Sequence, residues 1–225
     1  MKLEEQLKKM ERDWDLRAQQ NARYFVNTER EAWTDEEFFR SGRRTVDEEI
    51  LTDMINICQG KDPRQMKILE IGCGAGRVTR ALSELFGQVW AVDVSGEMIR
   101  QARHALAGCG NVHLLQNNGL DLTTIPGDGS FDFAFSSIVF QHIPSREVIY
   151  SYVREVRRLL RAGGLFKFQV QGDDTIETKP DDTWLGVSFS DAQAVEMAGH
   201  CGFEPRYRHG AGQQYFWLWF FKKPE

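Results

Sequence analysis

Residues 67–82 constrain this chain more than any other stretch. A short apolar run of Ile68, Leu69 and Ile71 leads into Gly72, Gly74 and Gly76, after which Val78, Ala81, Leu82 and Leu85 recur at helical spacing. The pattern predicts a strand, a glycine turn and a helix. Glycine suits such a turn because it adopts left-handed backbone angles at no steric cost and lets a ligand approach bare backbone. The spacing narrows the choice of ligand. A dinucleotide fingerprint places its third glycine three residues after the second, where this chain has Arg77, and the glycine here falls one residue earlier, at Gly76. The result is Gly-x-Gly-x-Gly with an acid, Glu70, upstream.

The rest of the chain alternates in the same way. Residues 88–93 read as a second buried strand ending in Asp93, where a carboxylate can accept hydrogen bonds from both hydroxyls of a ribose. Dinucleotide folds share that device, so Asp93 supports a nucleoside ligand without choosing the cofactor. Residues 112–116 are expected as a third strand and residues 131–137 as a fourth, the latter after a turn at residues 126–129. A helix is expected from Ser145 to Leu160. In a fifth strand Lys167, Gln169 and Gln171 alternate with Phe166, Phe168 and Val170, so the two glutamines share a face. Residues 171–186 are polar and read as a loop, and Ser190 with Gln193 has capping-box spacing for a further helix. Residues 203–208 and 214–221 then form an expected antiparallel pair, the last apolar on both faces as an interior strand should be.

Four ordered segments together resemble the class I S-adenosylmethionine-dependent methyltransferases: residues 72–76, 93–98, 118–122 and 162–165. The likeness covers about residues 45–222. It implies an α/β fold: a Rossmann-like doubly wound sheet of seven strands, mostly parallel with an antiparallel last strand, plus an N-terminal helical cap. It implies S-adenosyl-L-methionine as cofactor, cradled at Gly72, Cys73 and Gly74 below Glu70, with Asp93 on the ribose and Val94 and Met98 against ribose and adenine. Packing inside a helix is the alternative for Met98. Asn118 stands where the family has an acid, and its amide oxygen can still accept from the adenine amino group. Asp121 is the runner-up there, while Gly119 and Leu120 would offer backbone donors. Ser136, at the end of the fourth strand, and Gln141, in the segment after it at the rim of the methyl-transfer site, are further candidate cofactor contacts. His142 beside them is the candidate catalytic base, against a positioning or loop-structuring role. A second departure is Ala162 in place of the family's proline. No metal is implied.

The chain ahead of this region reads as an appendage. Leu7, Met10, Trp14 and Ala18 mark an amphipathic helix, followed by Tyr24, Phe25, Trp33, Phe38 and Phe39 and closed by Ser41 and Gly42. Residues 1–44 are therefore expected as a helical cap or lid, with Tyr24 and Phe25 over the cofactor, and residues 45–225 as the methyltransferase domain. Thr45 with Glu48 has the spacing of a capping box for a helix leading into the first strand. Arg43 or Arg44 could reach the methionine carboxylate of the cofactor, with a solvated position the alternative for both.

A formal net charge of -5 argues against a broad nucleic-acid surface, and no stretch has the length of a membrane span. The charged start without an apolar core points to a cytoplasmic protein. Four cysteines stand singly, which fits reduced thiols rather than a disulfide frame. The expected partner is a small-molecule methyl acceptor with O or N as its nucleophile. An NAD-dependent oxidoreductase and a non-catalytic binder of S-adenosylmethionine are the alternatives, and Arg77 speaks against the first.

Overall fold

The computed structural model describes residues 2–177, 179 and 181–223. They group into two compact units, Glu11–Gln116 and Asn117–Glu225 with Met1–Met10. The elements run α1 (Leu3–Val26), α2 (Asp35–Glu49), α3 (Met54–Cys58), β1 (Lys67–Ile71), α4 (Arg77–Leu85), β2 (Gln88–Asp93), α5 (Gly96–Ala105) and β3 (Val112–Gln116). They continue with β4 (Phe131–Ser136), α6 (Arg146–Leu159), β5 (Leu160–Val170), α7 (Asp191–His200), β6 (Phe203–His209) and β7 (Phe216–Lys222). Seven strands make a sheet in the order β3-β2-β1-β4-β5-β7-β6.

In the unit Glu11–Gln116, β1, β2 and β3 are parallel neighbours. Ile68, Leu69, Val89, Ala91 and Val92 have no exposed surface, as strands covered on both faces require. The turn after β1 uses the left-handed region at Gly72, Gly74 and Gly76, with φ of 74°, 51° and 86°. Gly76 is the N-cap of α4.

Before the sheet, α1 and α2 precede β1, and α2 starts earlier than the Thr45 and Glu48 spacing predicted. Thr34 is its N-cap, closing a capping box with Glu37, and Asp35, Glu36 and Glu37 in the first turn favour the positive end of the helix dipole. Once nucleated there, the helix runs through Ser41 and Gly42, and Thr45 bonds back to the Ser41 carbonyl. Gly42 does not close a segment. A Cβ on it would lie 1.9 Å from the Arg77 carbonyl oxygen, so it is the point where α2 meets α4.

In the other unit β4 and β5 are parallel, while β7 runs antiparallel between β5 and the edge strand β6. The aromatic content of β4, β5 and β7 forms the core: Phe133, Phe135, Phe166, Phe168, Phe216 and Phe220 are fully buried, and the Phe166 and Phe168 rings stack at 4.1 Å. Ser145 and Ser190 cap α6 and α7 at the expected positions. Residues 162–164 make an irregularity within β5 rather than a turn before it, since Phe131 pairs with Leu160 and Phe133 with Leu165. In the polar stretch after β5, Gln171 forms a bridge with Ser188.

Candidate functional site

The unit Glu11–Gln116 carries the glycine turn. Its backbone is fixed from β2: the N–H groups of Gly72 and Cys73 donate to the Val92 carbonyl at 2.8 and 3.0 Å. Gly74 N–H donates to Asp93 Oδ2 at 2.9 Å, and Ser95 N–H donates to Oδ1 at 2.9 Å. Asp93 thus sits at the carboxyl end of β2 with backbone donors on both oxygens, the Val94 N–H adding a third. Burial raises its carboxyl to about 6 against the pull of the Ser95, Gly74 and Val94 N–H groups.

Glu70 is placed differently from a ligand contact. It is 4% exposed on β1 and accepts from Thr79 Oγ1 of α4 at 2.6 Å, and burial pushes its carboxyl up to about 7. Cys73 is buried with Ala91 and Ile99, and burial raises its thiol well above the ordinary range, so it is an inert packing residue. Val94 is half-buried, and its carbonyl accepts from Gln116.

α1 and α2 pack on this turn. Ala18, Ala22, Phe38, Ala75 and Met98 form a buried cluster with Trp14, Val26, Trp33 and Phe39 against it, so Met98 has a packing role. A Cβ on Gly74 would lie 2.6 Å from Val26 Cγ2, which makes Val26 the side chain that fills the space a larger residue would need. Asp15 of α1 accepts from Ser95 Oγ at 2.6 Å and from Glu97 N–H at 3.1 Å, adding a charged cap to the start of α5. Tyr24 is half-buried, edge-on to Phe25 at 5.1 Å, near the break in α1 at Asn21. Arg43 and Arg44 do not serve the turn: they pair with Glu84 and Glu29 at the surface.

Arg77, the residue that breaks the dinucleotide spacing, is the buried cation here. Its Nη1 donates to the Ser41 carbonyl at 3.0 Å and to Thr45 Oγ1 at 3.1 Å, fastening α4 to α2, and burial pulls the guanidinium down to about 10. The spacing argument marked Arg77 only as a missing glycine. Its partners lie more than thirty residues away in sequence, beyond the reach of local pattern.

The unit Asn117–Glu225 holds the other candidates. Asn118 is exposed, and its Oδ1 accepts from Leu120 N–H and Asp121 N–H, both at 2.9 Å. Both lone pairs of that oxygen, and the Leu120 donor, are committed to this turn, and the Asn118 side chain also bonds the Asp121 side chain. Neighbouring Asn117 was not singled out from sequence. It is buried, its Nδ2 donates to Tyr152 Oη at 2.6 Å, and its Oδ1 has no hydrogen-bond partner among the described residues.

Ser136 ends β4 fully buried, and Ile138 follows in the left-handed region at φ 58°. A β-branched residue there is strained, on the order of 1–3 kcal/mol. Its N–H is bonded to Gln169 Oε1 at 3.1 Å. Gln169 Nε2 donates to Gln141 Oε1 at 2.6 Å, Gln141 Nε2 lies 3.3 Å from His142 Nε2, and His142 Nδ1 lies 2.5 Å from the Trp184 carbonyl oxygen. Gly186 N–H donates to the Gln141 carbonyl at 2.6 Å. The structure therefore brings Gln141, His142 and Gln169 together in one buried network with the loop at residues 184–186. Among the described residues no group of three or more His, Cys, Asp or Glu side chains could hold a metal ion, and no helix is long and apolar enough to cross a membrane.

Residues 68–164, from β1 through the irregularity in β5, match the model of a family described as Methyltransferase domain. The match covers 97 of the 225 residues, and over this stretch the chain is similar to a methyltransferase domain. The Ubiquinone biosynthesis O-methyltransferase of Xanthomonas oryzae pv. oryzae (strain PXO99A) is 31% identical over 99 residues, 44% of this chain and 40% of that protein. The chain thus spans about two fifths of the length of that relative. Among solved structures, the magnesium protoporphyrin IX methyltransferase of Synechocystis PCC 6803 with bound S-adenosylhomocysteine aligns over 95% of this chain and 98% of its own, with a TM-score of 0.66 at 15% identity. The cyclase SpnF aligns over 78% and 80% with a TM-score of 0.61 at 15% identity. Both share the methyltransferase fold with this chain.

Proposed function

We propose that this chain transfers a methyl group from S-adenosylmethionine to an oxygen or nitrogen of a small molecule. The observation that carries the reading is Asp93, held at the end of β2 by the Gly74 and Ser95 N–H groups inside a stretch that matches the Methyltransferase domain family. The residues fit the cofactor. Asp93 offers a carboxylate acceptor for a ribose diol, the turn at Gly72 and Gly74 offers bare backbone for the methionine part, and Asn118 and Gly119 lie on the segment that the family resemblance assigns to adenine. Val94 and Met98 would flank the nucleoside, Tyr24 would close over it, and Ser136 would border the methyl-transfer side. Glu70, Cys73 and Gln141 enter this reading as residues that shape the site from within the protein rather than by direct side-chain contact. The expected cap of residues 1–44 would take in α1 and most of α2, with Val26 yielding its place at Gly74 when the cofactor enters.

When bound, the sulfonium cofactor supplies an activated methyl group. The protein's task is then to hold an acceptor in line and to exclude water, which can supply much of the acceleration by proximity alone. Oxygen is favoured as the nucleophile because the curated relative is named an O-methyltransferase. The test is incubation with methyl-labelled S-adenosylmethionine and a panel of phenols, catechols, carboxylates and amines, with label in an organic-soluble product expected. A fold shared with a protein named a cyclase does not by itself fix methyl transfer, so a second reading is that this chain binds the cofactor without transferring its methyl group. Tight S-adenosylhomocysteine binding with no labelled product across the panel would select it.

A further inference from the structure

We infer that Gln169 is a positioning residue that fixes the tautomer of His142 and, through it, holds the loop at residues 184–186 against the connection between β4 and α6. The argument is one of polarity. Ile138 N–H is a backbone donor, so Gln169 must present its oxygen to it at 3.1 Å and its amino group to Gln141. Gln141 then receives on its oxygen, at 2.6 Å, and turns its own amino group to His142 Nε2 at 3.3 Å. That nitrogen must be the one carrying the lone pair. The proton therefore sits on Nδ1, where the Trp184 carbonyl, an acceptor only, receives it at 2.5 Å.

Both ends of the relay are backbone groups that cannot reverse. Gln169, Gln141 and His142 are 1%, 5% and 6% exposed, so an orientation opposed by its neighbours has little water to turn to. His142 is thereby committed at both nitrogens, and acting as a base would require the relay to break. The network also bonds Ile138, which stands in the left-handed region, and lies beside the Gly186 to Gln141 backbone bond. The inference rests on the proposed function only in reading this wall as the acceptor side.

The test is the imidazole nitrogen spectrum of the full chain, labelled with ¹⁵N-histidine at about pH 8, above the ordinary imidazole range. His142 is assigned by its loss in His142→Gln. The wild type should show a protonated Nδ1 and a bare Nε2, and the reverse pattern or an imidazolium overturns the inference. Gln169→Glu changes one end of one side chain from donor to acceptor. Gln141 must then turn its amino group toward residue 169 and its oxygen toward His142, so Nε2 should gain a proton, and an unchanged His142 signal contradicts the assignment. Should a buried carboxylate prevent folding, Gln169→Met removes both bonds at similar volume. A mixed tautomer is expected there, and a pure Nδ1–H signal overturns the positioning role. Calorimetry with S-adenosylhomocysteine on the same wild-type sample separates the two claims, since absent binding defeats the proposed function and leaves the tautomer result standing.

Discussion

Two carboxylates on adjacent strands illustrate what burial does to identical chemistry. Asp93 is held by the Gly74, Ser95 and Val94 backbone N–H groups, whereas Glu70 has a hydroxyl partner and a carboxyl raised to about 7. Its folded value lies above the ordinary 4.5, so the native state holds the proton more tightly than the unfolded chain. Stability from this group is full below about pH 4.5 and is lost as pH rises through about 7, by ~3 kcal/mol at most. Glu70→Gln keeps an acceptor for Thr79 and removes the titration. Urea unfolding should find the variant equal to wild type near pH 5 and more stable by ~2 kcal/mol at pH 8, whereas two curves that stay parallel would contradict the raised carboxyl. At Gly74 the backbone angle and Val26 both oppose a side chain. Gly74→Ala should lower stability by ~1–2 kcal/mol as well as weaken cofactor binding, and an unchanged melting temperature would remove Val26 from the argument.

At the scale of elements, much was legible from the sequence. Apolar runs marked β1, β2, β4 and β7, and glycine spacing marked the turn, because those signals are local and depend on burial period alone. The start of α2 was misread at Thr45 because two capping signatures compete, and the upstream one at Thr34 has acids in all three first-turn positions. The Arg77 clamp and the relay from Ile138 to Trp184 were illegible because they join side chains brought together only by the fold. Asn118 was expected to accept from the adenine amino group through its amide oxygen, but that oxygen is committed to its own turn. The clamp makes a prediction of its own. Gly42→Ala would press a methyl group to 1.9 Å from the Arg77 carbonyl, so α2 must shift. A loss of ~2–3 kcal/mol in chemical denaturation is expected, and a loss under ~0.5 kcal/mol would show that the α2–α4 crossing is loose.

For the whole molecule, the cofactor should act as a stabilising ligand. At a concentration a hundredfold above its dissociation constant it should add about 2.7 kcal/mol to the folded state, visible as a raised melting temperature. Protease digestion should also show α1 shielded in its presence, since Val26, Ala18 and Ala22 pack on the turn proposed to receive it, and equal cleavage with and without it would make the cap a passive appendage. The central claim is that the turn after β1 and the carboxylate ending β2 form one nucleoside site. Isothermal titration of S-adenosylhomocysteine into the wild-type chain and into Asp93→Ala tests it most directly. The account predicts one site per chain in the wild type and a loss of ~2 kcal/mol or more, about thirtyfold in affinity, in the variant, because two hydroxyls lose a charged acceptor. Equal affinity in the two proteins would contradict it.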